Sequence, residues 1–371
     1  MRKQQPHRYL ISGGGTGGHI FPAIAIAEAI REKEPEARFL FVGAKGRMEM
    51  SKVPHAGYPI TGLNITGIAR SLSAKNLLFP FRLVGSLIKA LKIIRQFKPD
   101  ITIGTGGYAS GPTLYAAALK RIPILIQEQN AYPGITNRTL GKRADRICVA
   151  YDKMEQFFPK EKIVQTGNPI RKQLQTPHGD KREALQFFEF TEALPTILIV
   201  GGSQGSLAIN RAIMAILKEE RLQANILWQT GSRGYDEAVK ATEKLQNERI
   251  KIHQFITRMD LAYGAADIII SRAGAIAISE MAVAGKCTLF IPLPSAAADH
   301  QYKNARYLQE KGAAICIPQK EMMERLLPTI TQLLNNPQKV SEIAQHIRSM
   351  GQPHAATAIA DEVFHLIATK R

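Results

Sequence analysis

The sequence predicts an α/β protein built from two Rossmann-like domains with parallel sheets that face each other. Short apolar runs alternate with helical patterns, and such alternation packs as right-handed crossovers over a parallel sheet. The order strand, glycine-rich loop, helix occurs twice, once from residue 8 and again from residue 196. The length of 371 residues gives room for two cores.

In the first half, residues 8–12 read as a strand entering the loop Gly13–Gly18. Ile20, Ala23, Ile24, Ala27 and Ile30 then recur at helical spacing. Further strands are expected at 38–42, 100–104, 122–127 and 146–150. In the second half, strands are expected at 196–200, 225–229, 250–255, 267–271, 287–291 and 314–317. Helices are expected at 207–219 and at 276–284, the latter stopped by Gly285, a favourable C-cap residue. Gly167-Asn168-Pro169 breaks the pattern, which places domains at 1–168 and 169–345. The last stretch, about 346–371, is amphipathic and is expected to return to the first domain. Ligands of such sheets bind at the carboxyl ends of the strands, so the cleft between the domains is the expected site.

Lys and Arg number 49 against 31 Asp and Glu, a net charge of +18. Residues 1–170 carry +14 of it and the remainder +4. Between Glu49 and Asp100 there are eight basic residues and no acid. Such a field attracts nucleic acid, anionic lipid or a phosphorylated substrate. A composition of 45% hydrophobic and 22% charged residues excludes a disordered or fibrous chain. No apolar run reaches the roughly 18 residues of a membrane span, and no secretory signal is expected. The three scattered cysteines form no disulfide framework or zinc motif and fit a reducing compartment. The histidines lack metal-ligand spacing, and neither a P-loop nor a G-x-S-x-G elbow occurs.

Gly13, Gly15 and Gly18 form a G-x-G-x-x-G, which lets backbone amides and a helix N-terminus approach a phosphate. The second strand ends in Gly43-Ala44-Lys45, without the acid that a dinucleotide ribose requires, and this argues against NAD or FAD. His19 follows the loop in the first helical turn, where the dipole favours the neutral imidazole. It is either a capping and packing residue or a base. The loop Gly201–Ser206 repeats the arrangement. A third loop at 271–275 opens another helix, on which Glu280 could accept both hydroxyls of a ribose or lie solvated. Its neighbours Ile278, Met281 and Ala282 favour burial. Glu128-Gln129-Asn130 and Asp299-His300-Gln301 follow strands where site residues gather.

Residues 68–98 combine apolar and basic side chains, with Phe79 and Phe81 beside Lys75, Arg82 and Lys89. Apolar insertion beside headgroup-binding cations gives interfacial membrane attachment, worth about 1 kcal/mol per basic residue near an anionic surface. The alternative is a core helix with a basic solvent face. No RNP, KH or zinc-finger signature accompanies the charge, so no nucleic-acid partner is expected.

Gly13–Gly18 with His19-Ile20-Phe21-Pro22, Gly106-Gly107-Tyr108-Ala109-Ser110-Gly111-Pro112, Glu128-Gln129-Asn130, Gly167-Asn168-Pro169-Ile170-Arg171, Gly201–Ser206 and Asp299-His300-Gln301 occur in that order. Together, over nearly the whole chain, they resemble the MurG family of peptidoglycan N-acetylglucosaminyltransferases. The resemblance implies a glycosyltransferase-B fold at the cytoplasmic face of the bacterial inner membrane. It implies inverting transfer of N-acetylglucosamine from UDP-N-acetylglucosamine to the C4 hydroxyl of lipid I, giving lipid II, with no cofactor or metal required. By motif it implies that Thr16, Gly17 and Gly18 lie near the diphosphates, and that Asn130, Arg171 and Ser203 contact the donor. Ile256 would lie beside uracil, Ala275, Ile276, Ala277, Ile278, Ser279 and Glu280 would form the nucleotide helix with Glu280 on the ribose, and Gln301 would meet the sugar. Gln127 stands where some relatives carry histidine. Inverting chemistry needs a base, for which His19 is the first candidate and Glu128 the second, while Tyr108 could orient the acceptor. A transferase for another lipid acceptor and a UDP-N-acetylglucosamine epimerase of the same fold are the alternatives.

Overall fold

The computed structural model describes residues 5–66, 79–175, 180–190, 194–202, 205–219, 222–243, 245, 247–296 and 299–369. The chain forms two compact units, Met1–Ile170 with His354–Arg371, and Arg171–Pro353.

The first unit contains β1 (Arg8–Gly13), α1 (Gly17–Lys33), β2 (Arg38–Ala44), α2 (Glu49–His55), β3 (Ile60–Leu63), α3 (Phe79–Phe97), β4 (Ile101–Gly106), α4 (Ser110–Leu119), β5 (Ile124–Glu128), α5 (Ile135–Gly141), β6 (Arg146–Val149) and β7 (Ile163–Gln165). The seven strands are parallel in the order β3-β2-β1-β4-β5-β6-β7. Strand order reverses between β1 and β4, so the loops after these two strands open a crevice at the sheet's carboxyl end. The β1–β4 register shifts between Ser12 and Gly13. Gly13 has to be glycine there, because a Cβ would lie 1.9 Å from Thr105 Oγ1. The core joins Ile11 and Phe41 of the sheet to Ile20, Ile26 and Ile30 of α1.

The second unit contains α6 (Lys181–Phe187), β8 (Thr196–Val200), α7 (Leu207–Lys218), β9 (Asn225–Gln229), α8 (Tyr235–Glu243), β10 (Ile250–His253), α9 (Met259–Ala265), β11 (Ile268–Ser271), α10 (Ala275–Ala284), β12 (Cys287–Phe290), α11 (His300–Glu310), β13 (Ile315–Cys316), α12 (Met322–Leu334) and α13 (Pro337–Ser349). Its six parallel strands run β10-β9-β8-β11-β12-β13, again reversing between the first and fourth. Trp228, fully buried, centres the core with Ile197, Ile213 and Leu326. Gly285 ends α10 in the left-handed region at φ 63, as its sequence position predicts.

The C-terminal amphipathic stretch is not one element. Its first residues belong to α13, where His346 Nδ1 lies 3.2 Å from the Gly312 carbonyl. Gly351 and Pro353 break the helix, and α14 (Ala355–Thr369) then packs Ile359, Ala360 and Val363 into the first unit's core. The edge strands β3 and β7 escape the sequence pattern because they are short and partly exposed, so no continuous apolar run marks them.

Candidate functional site

At the first unit's switch point, α1 begins at Thr16, whose carbonyl accepts from the His19 and Ile20 amides. No side chain caps this end and its first turn holds no acid. His19 Nδ1 lies 3.0 Å from the Gly14 carbonyl and 3.3 Å from Thr16 Oγ1. A carbonyl can only accept, so Nδ1 carries the proton and Nε2 the lone pair. The Gly106 position needs to be bare, since a Cβ there would come within 3.0 Å of His19 Nε2. Gly107, at φ 90, packs on Gly14 and leaves no room for a side chain. Tyr108 follows on the same loop and is 47% exposed. Thr16 is exposed, and Gly17 and Gly18 are half-buried.

Glu128 ends β5 and is buried. Oε1 accepts from the Asn130 amide at 2.9 Å and Asn130 Nδ2 at 3.1 Å, and Oε2 from Asn137 Nδ2 at 2.8 Å and the Gly134 amide at 3.2 Å. Burial raises its pKa, opposed by these bonds from Asn130, Asn137 and Gly134. This is the geometry of a residue that shapes the Asn130–Gly134 loop. Gln127 is buried beside it, with Nε2 donating to Asn168 Oδ1 at 2.9 Å.

In the second unit, Gly202 and Gly205 adopt φ of 95 and 75. A Cβ on Gly205 would meet the Thr230 carbonyl at 1.9 Å. Ser203 lies outside the described residues. Ser206 caps α7 through Oγ, which accepts from the Ile209 amide at 3.4 Å. Beneath the loop lies the buried Arg272. Its Nη2 donates to Ser206 Oγ at 2.7 Å and Gln319 Oε1 at 2.8 Å, and its Nη1 to the carbonyls of Ile291 at 3.0 Å and Pro292 at 3.1 Å. All four acceptors are neutral. Burial lowers its pKa to about 10, which leaves it cationic at neutral pH.

The start of α10 also lacks a side-chain cap and an acid in its first turn. Ala275 and Ile278 are buried, Ile276, Ala277 and Ser279 half-buried, and Ser279 Oγ donates to the Ala275 carbonyl at 3.0 Å. Glu280 is buried, as its apolar neighbours predict. Arg171 grips it bidentately, Nε and Nη2 each at 2.8 Å, and Tyr263 Oη donates to Oε2 at 3.2 Å. Ile256 is buried and its amide donates to Gln229 Oε1 at 2.9 Å. Gln301 Oε1 accepts from the Leu293 amide at 3.0 Å.

Sequence reading missed four residues that organise these loops: Glu49, Asn137, Asn210 and Arg272. Arg272 stood inside a recognised loop, but nothing local announces a buried guanidinium. Asn210 bridges the Trp228 indole and the Thr230 carbonyl, a tertiary contact without a local signature. On α3, Arg82 Nη1 donates to Thr66 Oγ1 at 3.2 Å and Lys89 Nζ to the Gly62 carbonyl at 2.7 Å. Phe81, Val84 and Ile88 form an exposed stripe on the same helix, while Phe79 is half-buried. Lys75 lies outside the described residues.

Residues 9–149 match the glycosyltransferase family 28 N-terminal domain and residues 196–361 the glycosyltransferase family 28 C-terminal domain. The second match runs past Pro353 into α14. A Christiangramia forsetii protein named UDP-N-acetylglucosamine--N-acetylmuramyl-(pentapeptide) pyrophosphoryl-undecaprenol N-acetylglucosamine transferase is 49% identical over 98% of each chain. A protein of the same name from Parabacteroides distasonis is 48% identical over the whole of both. The crystal structure of Acinetobacter baumannii MurG superposes with a TM-score of 0.80 at 30% identity, covering 97% of this chain and 99% of that one. A UDP-GlcNAc 2-epimerase from Neisseria meningitidis, at 15% identity and a TM-score of 0.65 over 97% of this chain and all of its own, shares the fold.

Proposed function

The chain belongs to glycosyltransferase family 28, and from that premise we propose that it transfers N-acetylglucosamine from UDP-N-acetylglucosamine to undecaprenyl-diphosphate-linked N-acetylmuramoyl-pentapeptide, forming lipid II. One observation carries the geometric side of this reading. In the first unit the glycine loop leads into α1, which starts without side-chain cap or first-turn acid; in the second the loop after β8 leads into α7, capped by Ser206, and across the switch point α10 starts uncapped after β11. Such ends stabilise anionic groups, and transfer from a nucleoside-diphosphate sugar expels one.

In the reaction, the acceptor C4 hydroxyl gives its proton to His19 Nε2. Its oxygen bonds to the anomeric carbon as the bond to the β-phosphate oxygen breaks, and UDP leaves with that electron pair, inverting the centre. The Nδ1–Gly14 bond sets the lone pair on Nε2, which supports His19 over Glu128 as the base, since both Glu128 oxygens already accept from the Asn130–Gly134 loop and Asn137. Arg272, behind the second loop, adds positive potential for the departing diphosphate. Glu280 takes the ribose hydroxyls, sharing its oxygens with Arg171. UDP release from UDP-N-acetylglucosamine, measured with and without a short-chain lipid I analogue, tests the reading. Release that depends on the analogue, with a disaccharide product, is expected; conversion of the sugar without any acceptor would overturn it in favour of an epimerase.

A lipid-linked acceptor gives the stripe on α3 a use. The protein sits peripherally on the cytoplasmic leaflet, with Phe81, Val84 and Ile88 entering the interface and neighbouring cations meeting headgroups. Replacing these three residues by Ser is expected to abolish sedimentation with phosphatidylglycerol vesicles while UDP affinity holds. Undiminished sedimentation would return α3 to a solvated helix.

A further inference from the structure

Glu49 is the one fully buried carboxylate of the first unit that the mechanism above leaves without a task among the described residues. It opens α2 and reaches back under the glycine loop. Oε2 accepts from the Gly15 amide at 3.0 Å and Oε1 from the Ala44 amide at 2.9 Å. Among the described residues no cation pairs with it. Burying a carboxylate without a counter-charge is unfavourable even after relaxation, and two amide bonds offset part of this.

Two further positions give way to it. A Cβ on Gly14 would lie 2.2 Å from Glu49 Oε1, and a Cβ on Gly43 would lie 2.5 Å from Glu49 Cγ. The glycines at 14 and 43 therefore make the space that this carboxylate fills. The braced segment is also the one that holds the catalytic imidazole, because the Gly14 carbonyl receives His19 Nδ1–H. Gly15, held by Glu49, turns the chain at φ 86 immediately before the N-cap Thr16.

We propose that Glu49 is a positioning residue for the transfer, which fixes the Gly14–Gly15 turn so that His19 presents Nε2 to the acceptor hydroxyl, and whose charge stabilises the imidazolium formed when that proton arrives. It does through main chain what the carboxylate of a hydrolytic triad does by direct contact. The Gly15 amide, bonded to Glu49, is thereby withdrawn from phosphate binding, so the first loop serves the base more than the diphosphate. Glu128 also lies on this side of the loop, where it accepts from Asn137 Nδ2, and both Asn137 and the imidazole border the bare Gly106 position.

The inference rests on His19 being the base, and the test separates the two. Full-length enzyme is assayed by UDP release with the lipid I analogue, as wild type, Glu49→Gln, Glu49→Asp, His19→Ala and the Glu49→Gln/His19→Ala double variant. Melting curves identify the folded variants. Glu49→Gln is expected to lower kcat about tenfold or more with donor KM within about twofold, since it acts through a catalytic group and not on the nucleotide. Loss of the negative charge lowers the imidazole pKa, so the acid limb of the kcat profile moves to lower pH. Glu49→Asp keeps the charge and loses geometry, so kcat falls while that limb stays near its wild-type position; this variant carries the test if the glutamine variant does not fold. In the His19→Ala background, Glu49→Gln should cost little more. An equal cost with and without His19, or a carboxylate variant that turns over normally, would overturn the role given to Glu49 alone. Near-normal turnover of His19→Ala would remove His19 as base and this inference with it.

Discussion

The two sheets share a strand order and place a glycine loop at the same point, yet opposite charges lie beneath the loops. Glu49 is buried under Gly13–Gly18, and Arg272 under Gly201–Ser206. The first half of the chain is the strongly basic one, so the acid under its loop is the reverse of what bulk charge suggests. Surface charge governs encounter and attachment over a Debye length. A buried group bonded to the loop decides what that loop stabilises at contact distance, where screening is weak. On this comparison the proposal assigns the anion to the second loop and the histidine to the first.

The largest effect that sharpens the contrast is at His19. His19→Ala is expected to lower kcat about 10²- to 10⁴-fold, the usual worth of a positioned base, while UDP affinity is unchanged by calorimetry. Arg272→Gln comes next. Hydrogen bonds from a charged group are worth about 1.5–3 kcal/mol, so donor kcat/KM should fall about tenfold or more, with only part restored by Arg272→Lys, which keeps charge without the fork. Equal losses in acceptor and donor terms would break the assignment of that loop to the nucleotide. Glu280→Ala should weaken UDP about tenfold with a small change in kcat, the scale of hydrogen bonds to a charged group. An unchanged donor KM would reject its place on the ribose.

The smallest effect concerns stability. Burial raises the folded pKa of Glu128 above its unfolded value, so the folded state holds the proton longer. Its ionisation therefore removes stability as pH rises from about 4.5 towards the folded value, and contributes nothing below both. Glu128→Gln loses accepted bonds at every pH but not this ionisation penalty. Its melting temperature should thus lie furthest below wild type at low pH and close part of the gap towards neutrality. A gap that widens with pH would contradict the direction assigned to Glu128.

Local chemistry made much of the fold legible. The strands that end in these glycine loops are buried from their second residue on or throughout, so apolar runs and punctuation coincide, as at 8–13 and 196–200. Placement was legible where it follows from a loop's position, as with His19 in the first turn after Gly18 and the burial of Glu280 among apolar neighbours. Contacts that join distant segments were not. Glu49 lies 34 residues from the Gly15 amide it holds, and Arg272 is 66 residues from Ser206. A sequence shows that an acid is absent from the end of β2; only the fold shows one arriving from the next helix. The break between α13 and α14 was written in Gly351 and Pro353, but amphipathic periodicity on both sides concealed it.

UDP affinity, titrated calorimetrically against wild type, Arg272→Gln and Glu49→Gln, tests the contrast between the loops most directly. The account predicts that Arg272→Gln weakens UDP more than about tenfold, while Glu49→Gln leaves it within about twofold, in keeping with the few kcal/mol carried by a buried charged contact. Weakened binding in Glu49→Gln beside unaltered binding in Arg272→Gln would contradict it.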